Sequence, residues 1–70
     1  MEPEIDLLIQ ELEAHGLSWD IGHLPHIVEA RVWKWPHVIG RYRVDKIEPA
    51  ATMLAKAMME IDWRKYPKLK

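Results

Sequence analysis

Two tryptophans and three arginines lie close together in the middle of this 70-residue chain, and they could bind another molecule. They are Arg31, Trp33, Trp35, Arg41 and Arg43. Both residue types are enriched at the energetic centres of protein interfaces, because each offers a large contact area for a modest loss of conformational freedom. The five residues are therefore the candidate partner-binding site.

These residues share one surface if they lie on two neighbouring strands. His26 to Trp35 and Val38 to Lys46 both alternate between two sets of side chains, and Pro36 separates them as a turn. The apolar set consists of Val28, Ala30, Val32, Tyr42 and Val44. The other set contains Glu29 and the five candidate residues. The pattern predicts an antiparallel hairpin with an apolar inner face and an outer face of tryptophan and arginine, with Gly40 marking a bulge.

Three other interpretations of this hairpin stay open. Single-stranded nucleic acid could stack its bases on the tryptophans while the arginines contact phosphates. Alternatively, Trp33 and Trp35 pack under the segment of residues 17–25. A shift of the strand register by one residue would also exchange the two faces.

Four histidines raise the question of a metal site, but only His23 and His26 are close in sequence. A structural zinc site needs four convergent ligands, and the chain has no cysteine to complete one. The chain also has one serine, one threonine and no glycine-rich phosphate loop. We therefore expect no metal, no cofactor and no enzymatic activity.

Two helices are predicted to flank the hairpin. Pro3 to His15 carries Ile5, Leu8, Ile9 and Leu12 at helical spacing, and Gly16 suits a left-handed cap. The second helix is predicted from Glu48-Pro49 to about Asp62 or Trp63. Its hairpin-facing residues would be Ala51, Leu54, Met58 and Ile61. Those flanking them would be Met53, Ala57 and Met59, and exposed methionines there could also serve binding.

The segment from Leu17 to Pro25 lacks a clear period and is interrupted by Gly22, so we expect a connecting loop with at most a short strand. The fold class that follows is α+β: a two-layer helix-strand-strand-helix sandwich, with both helices on one face of the antiparallel hairpin. Residues 1–63 would form a single domain and residues 64–70 a basic C-terminal tail.

The charges divide unevenly along the chain. The formal net charge is −1, yet residues 1–30 contain seven acids and no lysine or arginine, while residues 31–70 contain all ten bases and four acids. The near-neutral total and the acidic first helix argue against nucleic acid as the first choice of partner. The acidic amino terminus does not resemble a secretion signal, and no apolar run could cross a membrane, so we expect a cytoplasmic protein.

The stretch from Val28 to Ala57, a tryptophan-bearing hairpin that runs into an alanine-rich helix, resembles small helix-strand-strand-helix proteins encoded by bacteriophages and prophages. The resemblance implies a bacterial or viral setting and a binder or inhibitor of a host protein. The order of elements also resembles antitoxins with a partial double-stranded-RNA-binding fold, which have a third strand.

The sequence therefore predicts a small non-catalytic protein-binding module that uses the outer hairpin face. A nucleic-acid-binding protein that uses the same face and the basic tail is the alternative. We also expect a homodimer, because a two-stranded sheet is too small to cover the apolar surface of both helices, and because its edges are open to pairing.

Overall fold

A computed structural model describes residues 4–69, so Pro3 and Lys70, at the ends of the predicted first helix and tail, lie outside the described residues. The elements are α1 (Ile5–Ala14), β1 (Ser18–His23), β2 (Val28–Lys34), β3 (His37–Val44), α2 (Ala50–Met58) and a short 3-10 helix (Trp63–Lys65). This order confirms the predicted α+β class and the two layers, with one strand more than the predicted hairpin. No helix among the described residues is long and apolar enough to cross a membrane.

The additional strand occupies most of the segment after Leu17, for which a loop with at most a short strand is predicted. The sheet is antiparallel in the order β1-β2-β3, and β1 pairs with β2 from Ser18 opposite Trp33 to His23 opposite Val28. Trp19 and Ile21 pack against the core, and Asp20 alternates with them. Because only one face of this edge strand is covered, apolar residues are needed on that face alone, and Trp19 and Ile21 supply them.

The hairpin of β2 and β3 contains an irregularity near the predicted bulge. Val32 is opposite Gly40 and Trp33 is opposite Val38, so Ile39 is the extra residue. A Cβ atom on Gly40 would lie only 2.5 Å from the backbone carbonyl oxygen of Ala57. Glycine therefore allows β3 to pack directly against the backbone of α2.

The core lies between the sheet and the two helices. Its largest fully buried side chains are Leu12, Val32, Met53 and Leu54. Leu12 belongs to the predicted apolar stripe of α1, and Val32 to the predicted inner face of the hairpin. Met53 and Ala57 occupy the core instead of flanking it, because α2 contacts both β2 and β3 and is covered on a wider arc than predicted.

The second helix ends at Met58, earlier than the predicted end near Asp62 or Trp63. The N–H groups of Glu60 and Ile61 donate to the carbonyl groups of Ala57 and Met58, three residues earlier, over 3.1 and 3.2 Å. This tighter turn moves Ile61 into the core, where it is buried as predicted. The side chain of Asp62 then accepts from the N–H of Arg64 and starts the 3-10 helix.

The C-terminal segment packs against the end of α1. Gly16 has the predicted left-handed conformation, with φ of 70°, and a methyl group of Leu69 lies close to it. The N–H of Leu69 donates to the carbonyl of Ala14 over 2.7 Å. Lys68 Nζ lies 4.0 Å from a carboxylate oxygen of Glu11. Basic residues late in the chain therefore lie beside the acidic first helix of the same molecule.

Candidate partner-binding face

The structure brings four of the five predicted site residues together on the side of the sheet that faces away from both helices, and the fifth, Trp35, lies in the turn after β2 instead of on the strand as predicted. We call this side the outer face and define it by the outward side chains Asp20, Glu29, Arg31, Trp33, Arg41 and Arg43, together with Trp35 in the adjoining turn. Arg31 is directly opposite Arg41, and Glu29 is directly opposite Arg43. The strand alternation is the one predicted, so the faces are not exchanged.

Glu29 lies at the centre of the arginines. Its side chain is only 5% exposed, although neither α1 nor α2 covers this side of the sheet. One carboxylate oxygen lies 3.3 Å from Nε of Arg41 and 3.8 Å from Nε of Arg31. The other forms an ion pair with Nε of Arg43. A single carboxylate thus contacts all three guanidinium groups of the outer face.

Asp20 on the edge strand fixes two further side chains. One of its oxygens accepts from Nε of Arg31 over 2.9 Å and from the indole N–H of Trp33 over 2.8 Å. The other oxygen forms an ion pair with a terminal nitrogen of Arg31. This two-point contact is the arrangement in which arginine binds a carboxylate most specifically. Asp20 therefore sets the orientation of both Arg31 and Trp33.

The protonation of Asp20 reflects these contacts. Partial burial acts to raise the pKa of the Asp20 carboxyl group, but the hydrogen bonds from Arg31 and Trp33 and the charge of Arg31 outweigh it. The pKa of Asp20 is consequently below its ordinary value of 3.8. The same contact with Asp20 raises the pKa of Arg31. Both groups are thus held in their charged forms at neutral pH.

Arg31, Trp33 and Trp35 form a row across the end of the outer face. The guanidinium carbon of Arg31 lies 5.4 Å from the ring centroid of Trp33, within the range of a cation–π contact. The rings of Trp33 and Trp35 are 5.9 Å apart and tilted by 40°. Gly22 lies beside this row, where a Cβ atom would be 3.0 Å from a terminal nitrogen of Arg31.

The two tryptophans differ in exposure. Trp33 is half-buried beside Asp20 of β1, whereas Trp35 is 80% exposed. Trp35 is therefore not packed under residues 17–25, and it presents an aromatic surface to solvent at the edge of the arginines. Exposed tryptophan next to ordered arginine is the composition of an interface centre more than of a solvated surface.

Sequence reasoning missed Asp20 and the role of Glu29. Glu29 was placed on the correct face, but its burial depends on three arginines that converge from β2 and β3. The sequence favours a loop with at most a short strand around Asp20. Its alternation with Trp19 and Ile21 was the available signal for an edge strand that brings a carboxylate to the arginines.

The histidines lie apart from the outer face or at its ends. His15 sits between α1 and the C-terminal segment, with Nε2 3.1 Å from Glu11 and Nδ1 2.5 Å from the carbonyl oxygen of Tyr66. His23, His26 and His37 are exposed near the strand ends. Within residues 4–69, no three histidine, cysteine, aspartate or glutamate side chains are grouped so that they could hold a metal ion.

Comparison with known proteins gives no relative: no family model, no curated protein and no solved structure matches the chain.

Proposed function

We propose that this chain is a small non-catalytic protein-binding module that binds a partner protein through the outer face and also associates with a second copy of itself. The observation that carries the first part is the burial of Glu29 beneath three arginines on a side of the sheet that no element of residues 4–69 covers. In line with the phage-type resemblance of residues 28–57, the partner we propose is a bacterial host protein in the cytoplasm.

The Glu29 cluster is better explained by binding than by stability. Removing a carboxylate from water costs several kcal/mol by order of magnitude, and apolar residues in its place often give an equally stable protein. What the cluster provides is order, because Glu29 holds Arg41 and Arg43 by Nε. Arginines that are already fixed lose less side-chain entropy when a partner binds.

The chemistry of the outer face indicates a segment that carries carboxylates and an aromatic or aliphatic side chain. The face has three arginines and two acids, so it keeps one net positive charge. The terminal nitrogens of Arg41 and Arg43 make no hydrogen bond with another described residue. They are therefore free to donate to carboxylates of the partner while Trp33 and Trp35 contact its apolar group.

A selection from a library of displayed random peptides tests this proposal. The wild-type protein is the target, and peptides that also bind Trp35→Ala are removed by depletion. We expect the remaining peptides to be enriched in Asp, Glu and aromatic residues. Because Trp35 is 80% exposed, its replacement should leave the fold intact, which circular dichroism verifies.

Ile47→Ala is the matched control, since Ile47 is also an exposed apolar residue but lies in the β3–α2 loop. Peptides that depend on the outer face should bind Ile47→Ala as tightly as the wild type. A library that yields no peptide sensitive to Trp35 would contradict the proposal. Selected peptides that show no preference for acidic or aromatic residues would contradict it as well.

Nucleic acid is supported less well by this geometry. The three outer-face arginines contact Asp20 or Glu29, and phosphate would have to compete with these carboxylates. The basic C-terminal segment packs beside the acidic α1. Both features lower the positive potential on which phosphate binding depends.

A further inference from the structure

A mostly apolar groove lies on the opposite side of the molecule, between α1, α2 and the C-terminal segment. Its volume is about 560 Å³. Its lining combines apolar residues with three charged or ionisable ones: Leu8, Ala55, Met58, Met59, Trp63, Glu11, His15 and Lys68. An open apolar concavity of this size is typical of a binding surface.

The groove carries a protruding apolar side chain on its own border. Met59, directly after α2, is 82% exposed, whereas its neighbour Met58 is buried beneath the groove. A surface that holds both a projecting side chain and the concavity beside it offers both halves of a contact between two copies related by a two-fold rotation, in which each copy uses the same patch. Methionine suits such a contact because it is unbranched and adapts to irregular apolar surfaces.

The charges on the two sides of the groove have opposite signs. On one side, Glu4 and Glu11 fall at helical spacing on the stripe of α1 that lines the groove, and α1 carries no lysine or arginine. On the other side, the 3-10 helix and the residues after it carry Arg64, Lys65 and Lys68. The two sides meet where Lys68 lies 4.0 Å from Glu11 of the same molecule. A two-fold axis that runs along the groove, with the two copies face to face, places the acidic side of one copy against the basic side of the other, twice.

The dimensions of the molecule are sufficient for such a contact. The Cα extents are 39 × 29 × 15 Å, so the helical layer forms one of two broad faces of a flat molecule. A stable interface of standard size covers about 800 Å² on each partner. An interface of this size would cover a modest part of the 5090 Å² of accessible surface of one copy.

We infer that this groove is the interface of a symmetric homodimer, in which Met59 of each copy inserts into the groove of the other. The inference deepens the self-association part of the proposed function and does not involve the outer face. The two broad faces then have different occupants: a second copy covers the helices, and the partner protein covers the sheet.

Light scattering coupled to size exclusion tests the inference. The wild type should have the mass of two chains, and Met59→Glu should raise the dimer dissociation constant by at least about tenfold. Leu24→Glu is the matched control, because Leu24 is 53% exposed in the turn between β1 and β2, away from the groove. It should remain dimeric. A single-chain mass for the wild type, or a Met59→Glu dimer as tight as the wild type, would overturn the inference.

Charge reversal tests the two-fold arrangement. Glu4→Lys places like charges together at both symmetric contacts, and so does Lys68→Glu, so each variant alone should associate more weakly than the wild type. A mixture of the two variants restores opposite charges at both contacts, and native mass spectrometry should show a mixed dimer. A mixture that associates no better than either variant would contradict the arrangement. Binding of the selected peptides to the outer face is measured separately, so one proposal can fail without the other.

Discussion

Glu29 and Arg43 are directly opposite each other on β2 and β3, and their side chains form an ion pair on the outer face of the sheet. The exposure of the two residues differs greatly: the side chain of Glu29 is 5% exposed and that of Arg43 is 57% exposed. The carboxylate is thus covered by a group that itself remains accessible. This arrangement orders positive charge at a surface and is the physical basis of the proposed function.

Glu29→Gln should lower the free energy of unfolding by about 2 kcal/mol, because three arginines lose their shared anion. The expected loss is smaller than for a fully enclosed ion pair, since water still reaches the arginines. Urea denaturation followed by tryptophan fluorescence measures it. Glu13→Gln, on the exposed side of α1, is the control and should change the free energy by less than about 0.5 kcal/mol. Equal effects for the two variants would show that Glu29 is not held as described.

The stabilising contribution of Asp20 should depend on pH. Its pKa is lowered in the folded protein, so the folded state binds the proton less tightly than the unfolded chain. The contribution is complete above the ordinary value of 3.8 and is lost as the pH falls through the lower folded pKa. At pH 7, Asp20→Asn should be less stable than the wild type by about 1 kcal/mol, a modest figure because the carboxylate is partly exposed.

Denaturation of both proteins over a series of pH values checks this prediction. The difference between wild type and Asp20→Asn should shrink below pH 3.8, whereas all other carboxyl groups are common to both proteins. Asp45→Asn, in the exposed turn after β3, is the control for a general effect of charge. A constant difference across the series would contradict the lowered pKa of Asp20.

Two glycines should respond differently to replacement by alanine. A Cβ atom on Gly40 would meet the backbone of α2, which cannot move without separating helix and sheet, so Gly40→Ala should cost about 2 to 3 kcal/mol. A Cβ atom on Gly22 would meet only the flexible end of Arg31, so Gly22→Ala should cost about 1 kcal/mol or less. Chemical denaturation of both variants measures the difference, and the opposite order would contradict the packing of β3 on α2.

The parts of the fold that sequence reasoning identified are those with local signals. The alternation of Val28, Ala30 and Val32 separated the faces of the hairpin, and Gly16 marked the end of α1. Each of these features depends on a period or on a single backbone conformation. Such features can be read within a few residues.

The parts that sequence reasoning missed depend on contacts between distant residues. The edge strand β1 is stabilised by pairing with β2, and its own apolar pattern is short. The position of the C-terminal segment depends on Leu69 meeting Ala14 and Gly16 across the length of the chain. Within the candidate site, the residue types were identified, but the carboxylates that order the arginines come from separate strands.

The carboxylate contacts of the arginines also predict weak binding of nucleic acid. Single-stranded RNA labelled with a fluorophore should bind with a dissociation constant above about 100 µM even at low salt, because Asp20 and Glu29 compete with phosphate. Fluorescence anisotropy at low and moderate salt measures this. Tight binding that weakens steeply with salt would favour the nucleic-acid alternative over a protein partner.

The four tryptophans report directly on whether a partner protein binds the outer face. Their indole N–H groups report on different places: Trp33 and Trp35 on the outer face, Trp19 against the core and Trp63 at the groove. In a ¹H–¹⁵N correlation spectrum at fixed protein concentration, titration with the most enriched peptide should shift the Trp33 and Trp35 signals and leave the other two unchanged. Shifts confined to Trp63, or none for Trp33 and Trp35, would contradict binding at the outer face.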